Sequence, residues 1–158
     1  MKSPMTNKSY EFLKEELQRL KGIERPKASK AIEIARAHGD LSENAEYDAA
    51  KEAQGMLEAR IRDIEGKVAT AQVVDISTLS GTKVIFGATV ELEDADSGDK
   101  RTITIVGEDE ADVEKGLISF QSPLARALIG KEVGDLAKVK LPSGEKEYEV
   151  MDLRFVPT

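Results

Sequence analysis

The sequence has no cysteine, no tryptophan and a single histidine, His38. Without cysteine there is no disulfide framework, no cysteine-ligated zinc and no thiol nucleophile. One histidine excludes any two-histidine metal site and argues against a Ser-His-Asp triad. Aromatic residues fill only 4% of the 158 positions, too few to line a large apolar ligand pocket. No apolar run approaches the ~20 residues that cross a bilayer. The opening stretch Met1-Lys2-Ser3-Pro4-Met5-Thr6 lacks the apolar segment of a secretory signal. A cytoplasmic protein with no membrane partner is the resulting expectation. With 40% hydrophobic and 34% charged residues, the chain has material for one domain or two small ones with modest cores.

What is present changes character along the chain. Residues 8–75 hold one proline, Pro26, and four glycines, and are rich in Ala, Glu, Lys and Leu. Residues 80–158 gather Val, Ile and Thr between glycine and proline signals. A helical half therefore precedes a strand-rich half, an α+β chain divided at 1–76 and 80–158. Before residue 76 there are 13 basic and 14 acidic residues, and after it 10 basic and 16 acidic, so most of the net charge of −7 lies in the second half.

The first half has the spacing of two paired helices. Leu13, Leu17 and Leu20 begin one apolar stripe, and Ile23, Ala31, Ile34 and Ala35 extend it toward His38. Ala50, Ala53, Leu57, Ile61, Ile64, Val68 and Ala71 form the second, mostly at steps of three and four with one 4-4 slip. Pro26 is expected to bend the first helix, because it lacks an N–H and crowds the preceding turn. Only about four residues join the two arms, so they must be antiparallel neighbours in a coiled-coil hairpin.

The joint, residues 38–48, is the informative stretch. Gly39 suits the residue that ends a helix. Asp40 suits the N-cap of the next, and Glu43 three residues on completes a capping box. Capping is the ordinary meaning of that spacing. Here, however, no lysine or arginine occurs between Arg36 and Lys51, while Asp40, Glu43, Glu46 and Asp48 all do. Packing acids into one or two turns costs repulsion that the helix N-terminus offsets only in part. Tyr47 adds a large aromatic side chain near an exposed tip. Carboxylates presented this way make a partial Mg²⁺ site, since Mg²⁺ takes one or two carboxylates together with water and substrate phosphate. Two carboxylates alone would not hold the ion stably in the free protein.

In the second half, Lys83–Phe86, Thr89–Glu93, Arg101–Val106, Leu136–Leu141 and Glu147–Leu153 read as strands of a small antiparallel sheet. Pro142-Ser143-Gly144 marks a hairpin turn. Pro123–Ile129 reads as one short helix with Ser122 as its N-cap.

The run from His38 to Tyr47, His-Gly-Asp-Leu-Ser-Glu-Asn-Ala-Glu-Tyr, resembles the tip signature of the bacterial Gre transcript-cleavage factors. The likeness continues in Val84–Val90, Ile105–Asp112 and Ser122–Lys131, in order and over nearly the whole chain. It implies that the hairpin enters the secondary channel of a backtracked RNA polymerase and stimulates that enzyme's own Mg²⁺-dependent cleavage of the RNA 3′ end. On this resemblance Asp40 and Glu43 are the essential acids, sharing Mg²⁺ with the polymerase active site. Glu46 and Tyr47 are tip residues of second rank, and Arg36 and Lys51 could meet the 3′ end of the nascent RNA. The second half should resemble FK506-binding proteins in fold and dock on the largest polymerase subunit at the channel rim, through Ile118, Phe120, Ser122 and Pro123. The resemblance thus implies a monomeric stimulating factor that is not an enzyme by itself, and with so few aromatics no prolyl isomerase activity is expected. Lys14, Lys21 and Arg25 could share one face of the first helix, but the near-neutral hairpin offers no broad basic patch, which suits short extruded RNA. Two alternatives stand beside this reading. One is a Gre-like antagonist that blocks the same channel, and the other is a non-catalytic helical-hairpin adaptor or chaperone whose tip acids are only caps.

Overall fold

The computed structural model describes residues 2–39 and 44–156. Two compact units divide the chain. One is the helical hairpin, Tyr10–Ala71, and the other combines Lys2–Ser9 with the chain from Gln72 onward.

The hairpin's first arm begins with helix α1, Asn7–Arg19, passes through a π-helical turn at Leu20–Glu24 and continues as α2, Arg25–Arg36. Its second arm is α3, Ala45–Ala69. The π turn lies directly before Pro26, and the Arg25 N–H reaches back five residues to the Leu20 carbonyl. An α-helical path would leave Pro26 unable to donate to Gly22 and would crowd its ring against that turn. The wider turn relieves both problems at the cost of one extra residue.

That extra residue shifts the phase of the apolar stripe. Leu13 and Leu20 are buried as expected, but beyond the turn the buried positions are Ile32 and Ala35. Ile23 and Ile34, placed on the stripe by a constant 3.6-residue period, are each 52% exposed, and Ala31 is exposed as well. The second arm is more regular than its apolar residues imply. Tyr47, Ala50, Gln54, Leu57, Ile61, Ile64 and Val68 are buried or partly so, an unbroken alternation of three and four, whereas Ala53 is exposed. The 4-4 slip disappears because the polar Gln54 occupies the seam position. Charge pairs join the arms along the flank. Arg25 grips Glu58 through two bonds, Nε to Oε2 at 3.0 Å and Nη2 to Oε1 at 2.7 Å, and Lys21 meets Glu65 at 2.9 Å. The hydrogen bond from Arg25 holds the Glu58 carboxyl below the ordinary carboxylate range.

In the other unit, β1 (Ser3–Thr6) and β2 (Ala71–Val74) make a two-stranded sheet. Thr6 anchors its end: the hydroxyl donates to Glu110 at 2.6 Å and accepts the Ser9 N–H at 3.2 Å. The main sheet contains β3 (Thr89–Asp94), β4 (Lys100–Val106), β5 (Leu117–Ser119), β6 (Leu136–Leu141) and β7 (Gly144–Arg154), in the order β5-β4-β3-β7-β6. All neighbours are antiparallel except β4 and β5, which run parallel. Helix α4, Pro123–Leu128, contributes Leu124, Ala125 and Leu128 to the core with Val90, Leu92, Ile103, Ile105, Val139 and Val150. Opposite Glu91 and Leu92, the β7 partners step from Asp152 to Val150, so Met151 is an extra residue. The bulge switches which residues face inward. Tyr148 and Val150 point to the core before it and Leu153 packs there after it.

Two strand expectations change. Lys83–Phe86 is not a strand, since only Lys83 bridges to Glu132, and the fully buried Val84 exchanges backbone bonds with Gly130 and Lys131. Phe86 then turns inward, edge-on to Phe120 with ring centroids 6.0 Å apart. The parallel β5 had no signal, because three residues are too few to show alternation.

Candidate functional site at the hairpin junction

The end of α2 is set by its own backbone. The Ala37 N–H donates to Glu33 at 3.2 Å, the His38 N–H to Ala35 at 3.2 Å and the Gly39 N–H to Arg36 at 3.4 Å. Gly39 takes a φ of +111°, in keeping with its expected place at a helix end. Asp40, Leu41, Ser42 and Glu43 lie outside the described residues.

Helix α3 then starts at Ala45 with Asn44 as its N-cap, which corrects the assignment of that role to Asp40. Asn44 is extended (φ −93°, ψ 97°), and its side-chain oxygen accepts the Tyr47 N–H at 3.1 Å. Its amide nitrogen simultaneously donates to the Ala35 carbonyl on α2 at 2.6 Å. Asn is as good an N-cap as Asp, so Asn44-x-x-Tyr47 was a competing signal within the same motif. The acidic pair at Asp40 and Glu43 fitted the capping-box pattern more fully and obscured it.

Other cross-arm contacts cluster within the same turn. The Arg36 guanidinium lies over the Tyr47 ring, 6.0 Å from its centroid, near the limit at which a cation–π attraction counts. His38 Nε2 is 3.5 Å from Glu46 Oε2, with both side chains largely exposed. Glu46 and Asp48 occupy the first turn of α3, where negative charge complements the helix dipole. The structure therefore brings Arg36, His38, Asn44, Glu46 and Tyr47 together. Tyr47 is partly buried on the seam, while Lys51 is exposed one turn farther along α3. Among the described residues, no three acidic or histidine side chains converge on a point that could hold a metal.

The three basic residues expected on one face of the first helix each have a structural partner. Lys21 and Arg25 pair with α3, and Lys14 sits 5.1 Å from the centre of the Tyr10 ring. Of the four residues expected to dock the second unit, Ile118 is only 4% exposed and belongs to the core. Phe120 is engaged with Phe86, and the Ser122 hydroxyl accepts the Ala125 N–H at 3.2 Å as the cap of α4. Pro123 is the exposed member of the four. A shallow cavity of about 440 Å³ on the main sheet, lined by Glu91, Leu92, Lys100, Arg101, Thr102 and Met151, contains none of the expected site residues.

Comparison with known proteins matches both halves of the chain. Residues 3–73 fit the family "Transcription elongation factor, N-terminal", and residues 79–155 fit "Transcription elongation factor, GreA/GreB, C-term". The transcription elongation factor GreA of Alkalilimnicola ehrlichii is 57% identical over 155 residues, covering 98% of both chains. That of Methylococcus capsulatus is 55% identical over 156 residues, covering 98% of this chain and 99% of its own. Among solved structures, GreA factor homolog 1 of Thermus thermophilus is 29% identical, with a TM-score of 0.45 over 98% of this chain and 99% of its own. By sequence along both halves, the chain belongs to the GreA/GreB family of transcription elongation factors.

Proposed function

We propose that this elongation factor inserts its hairpin junction into the secondary channel of a backtracked RNA polymerase and stimulates cleavage of the extruded RNA 3′ end. Asp40 and Glu43 serve the polymerase active site in this reading. The observation that supports it most directly is the cap. Asn44 satisfies the start of α3, so the two carboxylates before it are not needed for that task. A reading in which the tip acids only cap α3 loses its main support.

The donor set fits a shared Mg²⁺. Asp40 and Glu43 supply hard carboxylate oxygens suited to Mg²⁺, but fewer than its octahedral shell requires, so polymerase, phosphate and water would complete it. Bound there, the ion would stabilise the attacking and leaving oxygens of phosphodiester hydrolysis. The chain's own part is to deliver the two acids on a stiff arm, with Glu46 and Tyr47 shaping the approach and Arg36 and Lys51 meeting the RNA end. Arg36 is free to do so because its contact with the Tyr47 ring, at 6.0 Å, is a weak one. Docking on the largest subunit at the channel rim is assigned to the exposed Pro123 end of α4, with the factor acting as a monomer in the cytoplasm.

The test mixes purified protein with a stalled, backtracked polymerase complex in Mg²⁺ and follows the RNA. Short 3′ fragments and resumed elongation are expected. Asp40→Ala and Glu43→Ala should each abolish cleavage while still binding polymerase. Inhibition without fragments would favour the channel-blocking antagonist, and wild-type cleavage by both variants would sink the role given to these acids. A Pro123→Glu variant should bind more weakly, and unchanged affinity would move the docking surface elsewhere.

A further inference from the structure

Resting on that reading, we propose that Asn44 is a positioning residue for the reaction, an amide strut that fixes the tip by holding the end of α2 to the start of α3. Its two bonds run in opposite directions, 2.6 Å as a donor to Ala35 and 3.1 Å as an acceptor from Tyr47. The Ala35 carbonyl also receives the His38 N–H, so the strut attaches where α2 terminates. Ala35 is only 3% exposed and Asn44 is partly buried, so the bond is partly withdrawn from water.

The choice of side chain carries the argument. A capping role alone is filled equally well by Asp, Ser or Asn. At the N-terminus of a helix the negative charge of Asp would gain further from the dipole. A carboxylate cannot donate at all, and a Ser hydroxyl, which can, sits one bond closer to its own backbone. Among these caps the amide is therefore the one that accepts within its own arm and still reaches the other as a donor. The neighbouring His38–Glu46 contact cannot substitute for it, because both groups are solvated and exposed pairs contribute little. Asn44 and Gly39 flank the segment that carries Asp40 and Glu43, so the strut sets the separation of the points from which that segment departs. Small misplacements matter in such a site. A shift of ~1 Å in a reacting group costs on the order of 100-fold in rate.

The experiment uses Asn44→Asp and Asn44→Ser in the full chain, with Asp40→Ala in the same assay. Both Asn44 variants keep an oxygen for the Tyr47 N–H and lose the amide N–H that reaches Ala35, Asp because a carboxylate has no donor and Ser because its hydroxyl is one bond shorter. Ser does so without adding charge. Protection of the Tyr47 amide from hydrogen exchange should persist, as should the factor concentration giving half-maximal cleavage. The maximal cleavage rate should fall by roughly 10- to 100-fold in both. Wild-type rates in both, beside an inactive Asp40→Ala, would overturn the strut and leave the proposed function standing. Loss of Tyr47 protection together with the rate would also overturn it, since a failed cap would then explain the defect. Full activity of Asp40→Ala and of Glu43→Ala would remove the functional reading, and the strut's role with it.

Discussion

Gly116 and Gly98 form a matched pair that separates backbone strain from steric overlap. Their φ angles are nearly equal, +76° and +78°, so alanine meets the same left-handed penalty at either position, about 1–2 kcal/mol. Their surroundings differ. A Cβ at Gly98 would find only the Glu93 carboxylate oxygen, at 4.0 Å on a movable side chain. At Gly116 it would lie 2.7 Å from the Thr102 carbonyl oxygen, on the strand that β5 pairs with. Restoring an ordinary contact of about 3.4 Å requires about 0.7 Å of separation between backbones joined by the Thr104–Gly116 hydrogen bond of 2.8 Å. Overpacking of this kind costs about 1–3 kcal/mol. Gly116→Ala should therefore destabilise by about 2–5 kcal/mol and Gly98→Ala by only ~1–2 kcal/mol. Amide exchange of Ile103 and Ile105, both fully buried on β4, reads the loss within this unit, with ~1.4 kcal/mol per tenfold change in protection. Asparagine tolerates the left-handed conformation, so Gly98→Asn should recover most of its loss while Gly116→Asn should not. Equal losses for the two alanine variants, or recovery by Gly116→Asn, would refute the overlap.

Further outcomes follow from the hairpin and the caps. Ile64→Ala, at a side chain with 0% exposure, should cost about 2–5 kcal/mol in thermal unfolding, whereas Met56→Ala, at 69% exposure, should stay within ~0.5 kcal/mol. The Glu58 carboxyl is held low by Arg25, so the pair stabilises the hairpin above the ordinary carboxylate pKa of ~4.3 and loses that contribution as pH falls through the lowered value. A double-mutant cycle of Arg25→Gln and Glu58→Gln should accordingly show coupling at neutral pH that fades in acid. Asn44→Ala should weaken protection of the Tyr47 amide by about 1 kcal/mol, and Ser122→Ala that of Ala125 by a similar amount. Asp40→Ala and Glu43→Ala should change helix protection by less than ~0.5 kcal/mol, which exchange measurements on α3 would check.

The helical hairpin and the sheet were legible because burial imposes a period on sequence. Alternation placed Val90, Leu92, Ile103 and Ile105 on the core face, and the break at Pro142-Ser143-Gly144 announced the β6–β7 turn. What escaped depended on events that periodicity cannot encode. The π turn before Pro26 shifted the phase by one residue, so Ile32 is buried and Ile34 exposed. Gln54 was invisible on its seam because hydropathy does not recognise a polar residue half-buried by its methylenes. At the junction, sequence placed the cap of the second arm at Asp40, and the structure places it at Asn44. Two equally good caps competed within five positions, and only the partner across the arms, the Ala35 carbonyl, distinguishes Asn44.

The assignment of the cap also bears on why acids could accumulate at this tip. A carboxylate committed to a helix cap accepts backbone N–H bonds, which stabilise its charge and lower its readiness to take another cation. A neutral amide in that place makes no such demand on a carboxylate. Glu46 and Asp48 already meet the α3 dipole, so further acids gain little from the helix itself. Their mutual repulsion in a water-like dielectric is on the order of 1 kcal/mol at close range, tolerable for a packed hairpin. A divalent cation supplied from outside reverses the sign of that interaction. In an active site where water is excluded, the same charges act through a lower dielectric and attract the ion more strongly. On the proposed function, such a tip should hold the cation weakly alone and well inside the polymerase, because the cation and the low dielectric would both belong to the partner.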